Sequence, residues 1–449
     1  MGGEWRLEKA KVTDMTRGGI LTHLIQFSIP LILGNLFQLS YNMVDTMVIG
    51  RFAGSASLAA VGTCDQIMTL LILGVSGVCI GASVLMGNFF GAGEMEKLLE
   101  EMKTTVLLGL AFSLLVMCAG IPLTGPIFHL MRVQPEMMAD ATVYLRLIFA
   151  GMPFTCLYNI YAAALRSIGD SKTPVRYLMI SCLINIALDL ILVALLRIGV
   201  LGAALATVIA QALSALLCIR YVNAHVPLLR FGWKTLRVNR ALAGKTLSYG
   251  GMTALQQCSQ PIGNIIIQSS VNALGVSAAS AFSAVRKIED IGLLPGRSIA
   301  TGMTAFTAQN KGAQNALRVR QGYLKGIGLE IAAGGMVCLA VLLLRFPLMS
   351  LFTADSAILT EGVRYFQVIA FCYWLPCVNN GNQGYFRGLG RMTVTLLATL
   401  TQITVRVIMT LALTPGMGIS GVGLACVIGW SAMMAWQVPM ILMQWKKQP

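Results

Sequence analysis

Long uninterrupted apolar segments are the feature that most constrains how this 449-residue chain can fold. Several exceed the roughly 20 residues that an α-helix needs to cross the hydrocarbon core of a bilayer. The twelve segments lie at about 20–50, 57–88, 103–124, 141–164, 175–197, 200–222, 245–274, 277–309, 321–345, 362–386, 393–414 and 419–443. Because apolar residues run continuously and do not alternate, a β-barrel is disfavoured. We predict an all-α integral membrane protein with twelve transmembrane helices.

The composition excludes the main soluble classes. Apolar residues make up 56% of the chain and charged residues only 11%, whereas a soluble domain has about 25% charged residues. The formal net charge is +15, but Lys and Arg lie mostly in the short gaps between apolar segments. No basic groove with stacking aromatic residues is visible, so we expect a lipid bilayer and no nucleic acid as partner. The 11 Cys are scattered singly, which indicates packing and not disulfides.

The distribution of basic residues predicts the orientation in the membrane. With the N-terminus in the cytoplasm, 23 Lys and Arg fall on the cytoplasmic side, including Arg6, Lys9, Lys11 and Lys447. Six fall outside, namely Arg51, Arg132, Arg146, Arg197, Arg345 and Arg364. The positive-inside rule therefore places both termini in the cytoplasm. Since no N-glycosylation sequon occurs, we expect a multi-pass protein of the bacterial cytoplasmic (inner) membrane.

The two halves of the chain resemble each other. With a shift of 221 residues, Tyr144 aligns with Tyr365, and Arg166 aligns with Arg387. Near the end the register slips by two. Six helices per repeat give both repeats the same orientation, which is a transporter architecture. We predict an N-terminal six-helix lobe at 1–222, a basic cytoplasmic linker at 223–244 and a C-terminal six-helix lobe at 245–449.

A few polar residues lie inside predicted spans, where ionisable groups cost several kcal/mol and indicate function. Asp45 lies in the first helix, and Asn185 and Asp189 share one face of the fifth. Together with Thr207 they would form an oxygen-rich site for a proton or a hard cation. Alternatively, Asp189 could cap a broken helix, Thr207 could bond to its own backbone, and Asp45 could lie at the outer interface.

A second group of charges lies in the eighth helix. It consists of Arg286, Lys287, Glu289 and Asp290. They could form an interfacial ion-pair cluster, or a charged wall of a substrate cleft. Under the 221-residue shift, Asp65 aligns with Arg286 and Asn185 with Arg406. Arg406 could equally serve packing.

The sequence lacks the motifs of ATP-driven transport and of hydrolysis. There is no GxxxxGK[ST] and no Ser/His/Asp set. We therefore expect no enzyme and no cofactor. We also expect no metal other than a sodium ion that could bind at Asp45, Asn185, Asp189 and Thr207.

The chain resembles the MATE (multidrug and toxic compound extrusion) transporters over about residues 15–445. The resemblance is carried by the order of several short motifs across twelve spans. They are Pro30, Asn42-Met-Val-Asp45-Thr46, Gly50-Arg-Phe-Ala-Gly54, Leu58-Ala-Ala-Val-Gly62, Gly87-Asn-Phe-Phe-Gly-Ala-Gly93, Ala164-Leu-Arg-Ser-Ile-Gly-Asp-Ser-Lys-Thr-Pro174 and Asn185-x-x-x-Asp189.

The resemblance implies two six-helix lobes around a V-shaped cavity, and export driven by inward H⁺ or Na⁺. It implies that Asp45, Asn185, Asp189 and Thr207 bind the coupling ion and that Pro30 is the bend of the first helix. NorM-like members have acidic residues in helices seven and ten, but this chain has none at 245–274 or 362–386. The departure favours a DinF-like use of the first lobe alone.

These observations predict a monomeric secondary antiporter that exports amphipathic organic compounds. Its substrate cleft would include Asp65, Gln256, Gln257, Arg286, Lys287, Glu289 and Asp290. One alternative is a flippase of the same superfamily for lipid-linked precursors, with the basic residues holding an anionic head group. A receptor or membrane scaffold is a further class, but neither needs two matched lobes.

Overall fold

The computed structural model describes residues 13–446. Residues 1–12 and 447–449, with Arg6, Lys9, Lys11 and Lys447 of the charge count, lie outside the described residues. The first half contains α1 Ile20–Phe52, α2 Ser55–Gly91, α3 Met95–Leu130, α4 Pro135–Ser167, α5 Lys172–Asp189 and α6 Val200–His225. The second half contains α7 Arg240–Asn272, α8 Val276–Gly292, α9 Leu294–Gly312, α10 Ala316–Ser350, α11 Ser356–Ile369, α12 Trp374–Gly388, α13 Met392–Met417 and α14 Ile419–Lys446.

The predicted all-helical membrane fold is confirmed, with two of the twelve segments each broken into two helices. The segment at 277–309 forms α8 and α9, and Pro295 lies in the first turn of α9, where its missing N–H disturbs no helical hydrogen bond. The segment at 362–386 forms α11 and α12, separated by a 3₁₀ turn at Ala370–Cys372. Within residues 13–446, nine helices are long and apolar enough to cross a membrane.

The helix boundaries repeat with the register seen in the sequence. Shifting α3 by 221 residues places its first residue on the first residue of α10, Ala316. The same shift places the end of α2, Gly91, on the end of α9, Gly312. The slip by two is also present, since α6 begins at Val200 and α14 at Ile419. The internal repeat is therefore a repeat of helices.

The first compact unit consists of Leu33–Gly251 with residues 13–14. Its core surrounds α4, whose Tyr161 and Ile160 are almost fully buried. Helices α2 and α7 approach closely, because a Cβ atom on Gly81 would lie 2.5 Å from the backbone nitrogen of Gly250. The connection from α6 to α7 belongs to this unit, and its Leu229 is fully buried.

The second compact unit consists of Met15–Ile32 and the described chain from Met252 onward. Its core contains Phe282, Tyr365 and Tyr373, all fully buried. The units therefore divide the chain differently from the sequence halves at 1–222 and 245–449. The first part of α1 belongs to the second unit, and the first part of α7 belongs to the first unit.

Candidate functional site

A polar pocket of about 280 Å³ lies within the first unit. Five helices line it: α1, α2, α4, α5 and α6. The polar residues around it include Tyr41, Asn42, Asp45, Thr46, Asp65, Tyr144, Ser181, Asn185, Thr207 and Gln211. The structure thus brings three of the four predicted ion-binding residues to one cavity.

Asp189, the fourth, is not among the residues that line this cavity. It is fully buried, and its carboxyl group lies close enough to that of Asp45 for the two charges to interact. Asp189 is the last residue of α5, and a π-helical turn follows it at Leu190–Leu195. Such turns widen a helix locally and occur frequently at functional sites. The two acids therefore form one site, although they are 144 residues apart in the sequence.

The side-chain oxygens of this site lack protein partners. Both carboxylate oxygens of Asp189, one of Asp45 and both polar atoms of the Asn185 amide are buried without a hydrogen bond. Nearly all buried polar groups in folded proteins are hydrogen-bonded, and each exception calls for a ligand, a proton or water. The geometry therefore leaves several oxygens available to a proton or a small cation.

Thr207 makes the hydrogen bond to its own helix backbone that the alternative interpretation predicts. Its hydroxyl donates to the carbonyl oxygen of Ala203 at 3.0 Å. The oxygen lone pairs remain available, since a hydroxyl accepts as well as donates. Thr207 is partly buried and lines the pocket, so the backbone contact and a role in ion binding are compatible.

Two tyrosines of the pocket were missed by the sequence analysis. The Tyr41 hydroxyl lies near Asp45, Asp189 and Thr207, and Tyr144 lies near Asp45 and Asp65. Tyr41 precedes Asp45 by four residues, so both project from one helix face. This four-residue spacing could have identified Tyr41 from the sequence. Tyr144 could have been noticed because its repeat partner is also a tyrosine.

The second unit contains a pocket of about 150 Å³. Its lining includes Arg286, Glu289, Asp290, Arg297, Asn379 and Arg406. Arg286 and Arg406 are the repeat partners of Asp65 and Asn185 in the first pocket. Equivalent positions thus carry a carboxylate and an amide in one unit and guanidinium groups in the other.

Several charged side chains of the second pocket interact with other protein groups. Tyr373 donates to Glu289 Oε1 at 3.0 Å, and Arg297 pairs with Asp290 at 3.0 Å. Arg406 faces Glu289 and Cys426, and its buried Nε has no hydrogen-bond partner. One ion pair, between Arg297 and Asp290, therefore lies at the wall of this pocket.

The other predicted cleft residues lie elsewhere. Gln256 is buried and donates to Thr399 at 3.0 Å, while Arg387 donates to its Oε1 at 3.2 Å. Neither Gln257, which is partly buried, nor Lys287, which is exposed, belongs to the lining of these two pockets. Pro30 lies inside α1, two residues before the point where that helix passes from one unit to the other.

The donor set of the first pocket determines which ligands it can take. Within residues 13–446, no three His, Cys, Asp or Glu side chains converge as they do in a metal centre. Carboxylate, amide and hydroxyl oxygens suit protons and hard cations and do not suit soft metals. The chemistry available at this site is reversible binding of a proton or cation.

Comparisons with known proteins agree with this architecture. The family profile described as MatE matches residues 30–191 and 253–412, once in each half. The probable multidrug resistance protein YpnP of Bacillus subtilis strain 168 is 28% identical over 415 residues, covering 92% of this chain and 93% of its own length. The probable multidrug resistance protein YoeA of the same strain is 29% identical over 357 residues, covering 78% and 77%.

A solved structure extends the agreement to the whole fold. The outward-facing conformation of a multidrug resistance MATE family transporter of the MOP superfamily superposes with a TM-score of 0.92 at 22% identity, covering 98% of this chain and 100% of that one. The family profile covers well over half of the chain. The chain therefore belongs to the MatE family of membrane transporters.

Proposed function

We propose that this protein is a secondary active antiporter that exports amphipathic organic compounds in exchange for inward H⁺ or Na⁺. The observation that carries the proposal is the neighbouring pair of the partly buried Asp45 and the fully buried Asp189 in the first unit, whose buried oxygens no protein group satisfies. Two neighbouring carboxylates in such a place repel each other and are poorly solvated. A bound proton or cation relieves both effects.

The size of the pocket supports ion binding at this place. Drug-sized ligands occupy cavities of roughly 300–1,000 Å³, and the first pocket measures about 280 Å³. It therefore accommodates an ion with water, or one end of a larger molecule. Asp65 in this pocket, and Arg286, Glu289 and Asp290 in the pocket of the second unit, are the substrate contacts that we propose.

The energy of one ion is sufficient for useful export. A single charge that crosses a membrane potential of 100 mV releases about 2.3 kcal/mol. Since about 1.4 kcal/mol corresponds to a tenfold ratio, one ion per cycle supports roughly a fifty-fold gradient of an uncharged substrate.

The sequence supports coupling through the first unit. Helices α7 and α12 contain no Asp or Glu, so the second pocket has no acid from the helices where NorM-like members have theirs. Its own acids, Glu289 and Asp290, lie on α8 and are bonded to Tyr373 and Arg297. This favours the DinF-like interpretation. A flippase for lipid-linked precursors is not favoured, because the two Bacillus relatives are named as probable multidrug resistance proteins. We further propose a monomer in the bacterial cytoplasmic membrane with both termini in the cytoplasm.

Neutral variants of the two acids test the function directly. We expect Asp45→Asn and Asp189→Asn each to abolish gradient-driven export of a fluorescent cationic dye from everted vesicles, with native expression and monodispersity. Glu361→Gln is the control, because it removes a carboxylate that is paired with Arg364 on α11 outside both pockets. Normal export by either aspartate variant would remove this site from the coupling mechanism.

A further inference from the structure

A carboxylic acid lies in the packed interior of the second unit, outside both pockets. Glu330 is near the middle of α10 and is fully buried. Neither of its carboxylate oxygens has a hydrogen-bond partner. Within residues 13–446, its oxygens also take part in none of the ion pairs. The proposed coupling at Asp45 and Asp189 makes no use of this acid.

Several other buried polar side chains of this unit have hydrogen-bond partners. Tyr323, also on α10, donates to Asn382 Oδ1 at 2.9 Å. The Asn382 amide donates in turn to Gln437 Oε1 at 3.0 Å. The interior of this unit thus provides partners for many of its buried polar atoms. Glu330 is an exception that requires an explanation.

The neighbouring helices are shaped to admit this carboxyl group. A Cβ atom on Gly296 of α9 would lie 2.9 Å from Glu330 Oε2, and one on Gly381 of α12 would lie 2.9 Å from its Cγ. Any larger side chain at either position would displace Glu330. The two glycines therefore form a notch that the glutamate fills.

At the equivalent position of the first unit, the glycine and the large side chain have exchanged helices. Under the 221-residue shift, Glu330 corresponds to Gly109, Gly296 to Val75 and Gly381 to Ile160. A Cβ atom on Gly109 would lie 2.4 Å from Ile160 Cδ1, so the apolar side chain occupies the space there. The first unit therefore achieves the equivalent packing with an apolar side chain. The second unit has a carboxylic acid in its place.

Charged groups on the surrounding helices have partners elsewhere. Arg387 of α12 donates to Gln256 and Gln383, and Lys311 of α9 donates to the carbonyl oxygen of Leu389. On α9, Arg297 pairs with Asp290 of α8, and on α11, Arg364 pairs with Glu361. Glu289 of α8 accepts a hydrogen bond from Tyr373. From α12, the titratable group that shares the notch is the thiol of Cys377, which would lie 3.1 Å from a Cβ on Gly296. None of these supplies a counter-ion for an ionised Glu330.

An ionised carboxylate without a partner is strongly unfavourable in such a place, whereas the neutral acid is tolerated. We propose that Glu330 is a proton-binding site of the second unit, which holds a proton while α9, α10 and α12 are packed together and releases it when these helices separate enough to admit water. Proton release and helix separation are then linked, so each favours the other. That this proton takes part in the transport cycle rests on the proposed function; the site itself does not.

The cysteine in the notch reports helix separation, and the repeat provides its control. Cys377 is fully buried beside Glu330, and its repeat partner Cys156 is 3% exposed beside Gly109, where there is no carboxyl group. The native purified chain is exposed to a maleimide at a series of pH values, and labelling of each cysteine is quantified by peptide mass spectrometry. The ratio of Cys377 to Cys156 labelling largely cancels the common effect of pH on thiol reactivity.

We expect this ratio to rise with pH by up to roughly tenfold per unit, as the release of one proton requires. In Glu330→Gln, which fills the notch but cannot ionise, the rise should disappear. Glu101→Gln is the control, because Glu101 is a fully buried acid of the first unit with threonine partners, and it should keep the native rise. If Glu330→Gln does not fold, Glu330→Met replaces it.

A ratio that does not change with pH in the native chain, or a rise that persists when Glu330 is replaced, would overturn the proposal. The assay needs no substrate and no ion gradient. Its failure is therefore distinct from a failure of the proposed transport function, which the Asp45 and Asp189 variants test separately.

Discussion

Tyr41 shows how a single side chain completes the ion site. Its hydroxyl lies beside both acids and Thr207, where it can donate to a carboxylate or accept from a protonated one. A hydrogen bond to a charged group contributes about 1.5–3 kcal/mol, so we expect Tyr41→Phe to weaken ion binding at least roughly tenfold. Calorimetric titration with sodium, and proton uptake at fixed sodium, measure this. Tyr221→Phe, outside the pocket, is the control, and native affinity in Tyr41→Phe would contradict the assignment.

Arg406 should matter more for stability than for transport. Its guanidinium group is partly buried beside Glu289, Tyr365 and Cys426, so Arg406→Ala leaves the partly buried Glu289 carboxylate without its nearby positive charge. We expect a loss of about 2 kcal/mol and a lower Tm in thermal unfolding, with export close to native. A native Tm with lost export would instead show that the second pocket takes part in transport chemistry.

At the residue scale, the cost of burying charge was enough to find the acids of the ion site and Asn185, but not the tyrosines beside them. Asp45, Asn185 and Asp189 attract attention because they are polar residues inside apolar segments. Tyr41 does not, since tyrosine is common in membrane helices, and only its spacing from Asp45 points to it. The neighbouring positions of Asp45 and Asp189 depend on how α1 packs against α5. No local pattern specifies that packing.

At the scale of the element, α1 is the candidate for the moving part. Pro30 lacks an N–H, so the helix already misses one backbone hydrogen bond and bends there at little cost. The helix passes from the second unit to the first just after this point. Asp45 follows 15 residues later, roughly 22 Å along the helix, so coupling must pass through packing against α5 and α6.

We therefore expect Pro30→Ala to retain ion binding at the acids but to slow or stop export. The restored hydrogen bond favours the straight helix, and alternating access needs two shapes of similar free energy. Ion titration and dye export from everted vesicles are measured on the same preparation. If this variant exports at the native rate, the coupling element is not the bend at Pro30.

The helices themselves were largely predictable, and their interruptions were not. Continuous apolar segments and the 221-residue register give twelve segments and a repeat, because bilayer thickness fixes helix length. Pro295 predicts a kink, and the structure has a full break between α8 and α9. The 3₁₀ turn at Ala370–Cys372 contains no proline or glycine, so it follows from tertiary packing and leaves no signal in hydropathy.

At the scale of the whole molecule, the repeat gives two units with the same helices and opposite chemistry. The first has a pocket with paired acids, and the second has a pocket with guanidinium groups and a separate buried acid, Glu330. The basic connection between α6 and α7 marks the halves of the sequence. It does not reveal that the first parts of α1 and α7 belong to the opposite units, because charge and hydropathy carry no information about which helices pack together.

The central claim is that ion entry at Asp45 and Asp189 drives substrate export. The most direct measurement is ion flux into proteoliposomes on addition of substrate, with a sodium gradient and a pH gradient imposed in separate experiments. We predict a substrate-dependent inward flux of one of the two ions in the native protein, and none in Asp189→Asn. Export without flux of either ion, or unchanged flux in Asp189→Asn, would contradict the account.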